Sequence, residues 1–203
     1  MQAINEKYIQ EAISYEDYVK LLNDLLAEGK TTGHDQSEKM VNYASMNQQR
    51  MKRIGKTYNP SEEALSTANN LGQPIFWLVI TEGWCGDAAQ NLPILAKLQS
   101  IFPNVNLKLI LRDEHPDLID QFLTNGGRSI PKLIILDADT YKVINTWGPR
   151  PAGLQKMVMD FKKNPHIPYE EFTKDIQLWY AKDKGRSTEQ EIIKLMQSSQ
   201  LAQ

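Results

Sequence analysis

Ile75-Phe76-Trp77-Leu78-Val79-Ile80-Thr81-Glu82-Gly83-Trp84-Cys85-Gly86-Asp87-Ala88 is the stretch on which the fold turns. Its first six residues form an apolar run of strand length, the pattern of a strand covered on both faces. The run breaks at Thr81 to Gly86, and from Ala88 to Ile101 the spacing of Leu92, Leu95, Ala96 and Leu98 predicts a helix, with Pro93 inside it. A buried strand therefore feeds a helix through a loop holding the only cysteine of the chain, Cys85.

Working outward, Val105 to Leu111 reads as a second buried strand and Pro116 to Leu123 as a helix before the Gly126-Gly127 turn. Lys132 to Leu136 and Tyr141 to Thr146 read as strands flanking an Asp137 to Thr140 connection, and Leu154 to Lys163 as a helix. This order predicts an α/β fold with a parallel first pair and an antiparallel closing hairpin, a central mixed sheet of about four strands flanked by helices. Upstream, Ser14 is placed to cap a helix carrying Tyr18, Leu21, Leu22, Leu25 and Leu26, and a second helix starts near Ser37 and buries Met40, Val41, Ala44 and Met51. Downstream, Pro165 and Pro168 break the chain before helices over Tyr169 to Lys182 and Ser187 to Ser198. The expected organisation is an N-terminal helical extension over 1–59, an α/β domain over 60–163 and a C-terminal helical extension over 164–203. Arg50, Lys52, Arg53 and Lys56 read as a solvated helix face, and Phe172, Ile176, Trp179 and Tyr180 as a packing stripe.

Composition excludes several classes. With 203 residues, 41% hydrophobic, and a formal net charge of −2, the chain has the material for a core, and nucleic acid is not an expected partner. No apolar stretch approaches the roughly 20 residues that span a bilayer, and Met1 to Tyr18 carries acids and no secretory pattern, so no membrane association and a cytoplasmic location are expected. One cysteine cannot form an intramolecular disulfide, and His34, His115 and His166 are scattered singly, so no metal site is expected. Glycine-rich phosphate loops are absent, and a Cys85–His115 hydrolase pair has nothing beyond fold proximity behind it.

Cys85 is the candidate nucleophile because a helix N-terminus offers unpaired N–H groups and a positive dipole end, which favour thiolate. Asp87 acts in the opposite sense, and Glu82 adds to it. The turn after Leu111 carries Arg112, Asp113, Glu114 and His115 to the carboxyl end of a parallel strand, where open α/β sheets place ligands. Arg112 and Arg150 are the candidate partners of a thiolate or of a ligand carboxylate; the competing reading pairs them with Asp113 or Asp87 at the surface.

Trp84-Cys85-Gly86 with Pro93 eight residues beyond the cysteine, Ile130-Pro131 ahead of a strand, and Gly148 after the last strand together resemble thioredoxin over roughly residues 60 to 163. The whole loop, Thr81 to Ala88, is similar to a bacterial branch of thioredoxin-like proteins with helical extensions. The resemblance implies a cis bond at Pro131 beside Cys85, a loop shaped by Trp84, Gly86, Asp87 and Ala88, and substrate docking at Ile130-Pro131. Departures accompany it. Ala88 stands where the family has its resolving cysteine, Val79 where it has a buried acid, and the family's first strand gives way to helices, leaving Val105 to Leu111 as an edge that the extension must cover. Two readings follow: a monothiol oxidoreductase with no bound cofactor, using a protein disulfide or a glutathione-type low-molecular-weight thiol as co-substrate, or a redox-inactive protein- or peptide-binding module.

Overall fold

The computed structural model describes residues 3–201, with the side chains of 199–201 outside that description. Its centre is β1, Ile75–Thr81, every residue of which is buried. That burial is why the run has no polar alternation: β1 has a sheet partner on each side and helices over both faces. The sheet order is β2-β1-β3-β4, with β2 (Val105–Leu111) parallel to β1, and β3 (Lys132–Asp137) and β4 (Val143–Trp147) antiparallel in turn. The mixed sheet and its closing hairpin are those expected.

Serine caps explain the helical N-termini. Ser14, Ser37 and Ser61 each accept a backbone N–H at the start of α2 (Tyr15–Ala27), α3 (Glu38–Thr57) and α4 (Glu62–Asn70). A short α1 (Glu6–Glu11) precedes them, capped by Asn5. The outer edge of β2 is covered as the missing first strand requires, but by a smaller device than a helix: Ile13 exchanges two backbone hydrogen bonds with Leu109, at 2.9 and 2.8 Å.

Several boundaries differ from expectation, three of them around the sheet and the cysteine. The helix after Pro116, α6, ends at Ile119, because Gln121 and Phe122 bond back to the third residue before them and Thr124 pairs with Gly127 in a tight turn. β4 begins at Val143 because Tyr141 has a φ of 53°, which ends extended geometry there. The helix after the cysteine, α5, starts two residues early, at Gly86, and runs to Ile101 through Pro93.

The remaining helices are α7 (Ala152–Lys163), α8 (Tyr169–Asp183) and α9 (Arg186–Leu201). One apolar core contains Trp77, Leu95 and Leu133 together with Tyr18, Leu22 and Met51 from the N-terminal helices and Ile192, Ile193 and Met196 from α9. Both extensions are thus built into the same core as the sheet. A second cluster joins α7 to α8, where Phe161 and Phe172 stack at 3.8 Å with rings 4° apart. Among the described residues no helix is long and apolar enough to cross a membrane.

Candidate functional site

Cys85 is the N-cap of α5. Its Sγ accepts the backbone N–H of Ala88 at 3.5 Å, and its S–H points to the carbonyl oxygen of Ile130 at 3.3 Å. The Ile130–Pro131 bond is cis, and Gly148 crosses directly behind it. Gly148 has a φ of +108°, and a Cβ there would sit 2.3 Å from the Pro131 oxygen, so only glycine permits β4 to leave the sheet against this segment.

The thiol is 8% exposed, and burial pushes it up to about 12, with the Asp87 charge adding to the effect. The N–H groups of Ala88 and Asp87 and the cation of Arg150 pull in the other direction and are outweighed. The helix terminus therefore does what helix termini do to thiols, but desolvation is larger. At rest Cys85 is a neutral, hydrogen-bonded thiol.

Asp87 sits in the first turn of α5 and is tied down from three sides. Its Oδ2 meets Nη2 of Arg150 at 2.6 Å, with the two side chains 11% and 14% exposed, and its Oδ1 accepts the hydroxyl of Tyr180 at 2.9 Å. Asn91 donates to the Asp87 carbonyl at 2.8 Å and to the Tyr180 hydroxyl at 3.1 Å, and is itself held by Thr188 at 2.7 Å. Burial raises the Asp87 carboxyl, and Arg150 and Tyr180 act against that rise. The pair links the start of α5 to the segment before α7, and Tyr180 ties it to α8; its partners match the competing reading of the sequence while its environment does not, since it is an interior pair and not a surface one.

Arg112 lies elsewhere. Its guanidinium stacks 4.8 Å from the Trp84 ring and pairs with Asp113 at 2.7 Å, fixing the indole at the rim of the loop. His115 turns towards α1, 3.5 Å from Glu11 and edge-on to Tyr8, and caps α6 without a side-chain bond. Among the described residues no group of three or more His, Cys, Asp or Glu side chains could hold a metal ion.

Several contacts at the loop had no signal in the sequence. Gly83 is pinned from the N-terminal extension, its N–H donating to Thr32 Oγ1 at 2.8 Å and its carbonyl accepting from Asn47 at 3.0 Å. Glu82 is wholly buried; one oxygen accepts the Asp113 N–H at 2.9 Å, and burial raises its pKa against the pull of Thr32 and of that N–H. Around Gly86, Asn47 and Arg50 of α3 meet Gln177 of α8, so a roof of polar side chains from both extensions stands over the loop. Tyr180, read as a packing residue, packs and also caps Asp87.

A strand-fed helix with the cysteine at its N-cap, faced by Ile130-Pro131, on a four-stranded mixed sheet defines the thioredoxin class. A family model described as thioredoxin matches residues 33–162, more than half of the chain, and the chain belongs to that family. Two solved structures are similar in fold: a protein of unknown function from Pseudomonas aeruginosa (TM-score 0.59) and an HIV epitope-scaffold (TM-score 0.56). Each is 16% identical, over 87% of this chain and 97% of the other. No curated protein matches the sequence.

Proposed function

We propose that this thioredoxin-family protein works through one thiol, Cys85, by monothiol exchange with a disulfide. The observation that supports the reading is the placement of the chain's only thiol at the N-cap of α5, between the Ala88 N–H and the Ile130 carbonyl. On exposure the thiol gives its proton to solvent. The thiolate attacks one sulfur of R–S–S–R, the S–S bond breaks, and RS⁻ leaves and takes up a proton, so Cys85 carries –S–R. Ala88 has no sulfur with which to resolve this adduct. A second, external thiol must attack the R-side sulfur, restoring Cys85 and releasing a disulfide; the disulfide is the oxidant and the external thiol the reductant. A glutathione-type thiol or a protein disulfide, in a reducing cytoplasm and without a bound cofactor, fits this cycle.

Burial of the thiol favours a second reading, in which the surface at Trp84 and Pro131 holds an extended peptide and Cys85 is chemically retired. The deciding experiment is incubation with glutathione disulfide at pH 8, followed by intact-mass analysis. Exchange predicts one adduct, removed by excess thiol and absent in Cys85→Ser. A folded protein that stays unmodified after hours speaks for the binding module.

A further inference from the structure

The basic run on α3 was expected to be a solvated face. Arg50 does not behave so: it is half-buried, turned towards the cysteine loop, and its Nη1 donates to Asn47 Oδ1 at 2.9 Å. Among the described residues no carboxylate lies within ion-pair distance of it. Asp87, the acid that follows Gly86, is already taken by Arg150 and Tyr180. Burial and the like charge of Arg53 both act against the Arg50 cation, and no acid compensates. A half-buried guanidinium with no ion-pair partner keeps N–H groups that an anion can use.

A second donor faces the same space. The Gln177 carbonyl oxygen accepts from Gln90 at 2.7 Å, which turns the Gln177 amide nitrogen towards Gly86. At Gly86, the point where a side chain would begin lies 3.6 Å from Gln177 Nε2, 3.9 Å from Arg50 Nη1 and 4.0 Å from Asn47 Oδ1, the last already accepting from Arg50. Two donors from two extension helices thus converge on one small space, kept open because residue 86 is glycine and adjoining Cys85 in the chain. Uncommitted N–H groups of a guanidinium beside an amide N–H suit a carboxylate.

We propose that Arg50 and Gln177 form a carboxylate subsite that selects anionic low-molecular-weight disulfides for Cys85. The proposal rests on the exchange reading above for its chemistry but not for its binding. It assigns the anion to Arg50 and not to Arg112 or Arg150, both of which spend their charge inside the protein.

Glutathione with its thiol blocked by S-methylation is the probe for the subsite, titrated calorimetrically at low ionic strength into wild type, Arg50→Gln and Arg53→Gln. Binding should weaken about tenfold in Arg50→Gln, the loss expected for one charge-assisted contact, and less than about twofold in Arg53→Gln, which removes an equal charge one turn away. Gly86→Glu, which sets a carboxylate of the chain itself into the space, should also abolish binding, and it keeps the test alive if Arg50→Gln fails to fold. The second arm compares Cys85 modification by dithiobis(nitrobenzoate), an anionic disulfide, with that by uncharged dipyridyl disulfide. Arg50→Gln should slow the first about tenfold and leave the second unchanged. No binding to wild type, or equal weakening in the Arg50 and Arg53 variants, overturns the subsite. Binding that depends on Arg50 while neither disulfide modifies Cys85 upholds the subsite and overturns the exchange reading instead.

Discussion

Asp87→Asn and Arg150→Met remove opposite halves of one buried pair, and the structure predicts that they agree in one observable and disagree in another. Each leaves its partner with little solvent, since the side chains are 11% and 14% exposed. Breaking such a pair from one side costs about 3–5 kcal/mol, and for a chain of this length each kcal/mol lowers the melting temperature by roughly 2–4 °C. Both variants should therefore melt on the order of 10 °C below wild type. Asp87→Leu combined with Arg150→Met should recover most of that loss, because no charge is then stranded. The thiol separates them. Asp87 is second to burial among the causes that raise Cys85, and Arg150 is among those that lower it. Asp87→Asn removes the anion and frees the cation, so the midpoint of Cys85 alkylation against pH should fall; Arg150→Met should leave it as high as in wild type or higher. The assay is the rate of iodoacetamide labelling across pH 7–11, where a lower midpoint shows as faster labelling at each pH, beside thermal unfolding by circular dichroism. Midpoints moving together in both variants would show that loosening of the fold, not electrostatics, controls the thiol, and the account of the loop given above would fail.

Three further outcomes follow from the same geometry. Cys85 holds its proton from the ordinary 9.0 up to about 12; a group raised on folding stabilises fully below its unfolded pKa and loses that contribution as pH climbs through the folded one. Wild type should thus lose about 4 kcal/mol relative to Cys85→Ser between pH 9 and 12, read from urea unfolding at each pH; parallel curves for the two proteins would refute the shift. Gly148→Ala places a Cβ 2.3 Å from the Pro131 oxygen at a φ of +108° and should cost at least about 3 kcal/mol or prevent folding, and a melting temperature within 2 °C of wild type would contradict the close approach. Ala88→Cys sets a second thiol at the residue whose N–H already reaches Sγ at 3.5 Å; mild oxidation should yield an intrachain disulfide by mass, and failure to oxidise would count against the loop geometry.

The fold was legible because its signals are local and redundant. The unbroken apolar run of β1 can be satisfied only by a fully covered strand, and Ser14 and Ser37 mark helix starts by a bond that spans three residues. Cys85 was legible for the same reason, as the residue between that strand and a helix. The surroundings of Cys85 were not. Arg50 belongs to a basic run whose periodicity is that of an exposed face, and only the packing of α3 over the loop turns it inward. Tyr180 carries an aromatic ring that packs and a hydroxyl that reaches Asp87, 93 residues away, and periodicity reports only the ring. The outcome at the thiol likewise hinged on burial, which depends on what α3 and α8 do in three dimensions.

Those two helices explain why one cysteine at a favourable helix terminus is nonetheless kept protonated. In an open loop the α5 N–H groups would face water and the thiol, and the sum would favour thiolate. Here Asn47 holds Gly83 from one side while Tyr180 and Gln177 close from the other, and the loop is desolvated before its hydrogen bonds can prevail. Burial raises the thiol and also acts against the half-buried Arg50 cation, so one cause bears on both the quiet nucleophile and the guanidinium beside it. A ligand that brings a carboxylate to Arg50 sets its charge against the guanidinium at Gly86, one residue along the chain from the thiol that its disulfide must reach.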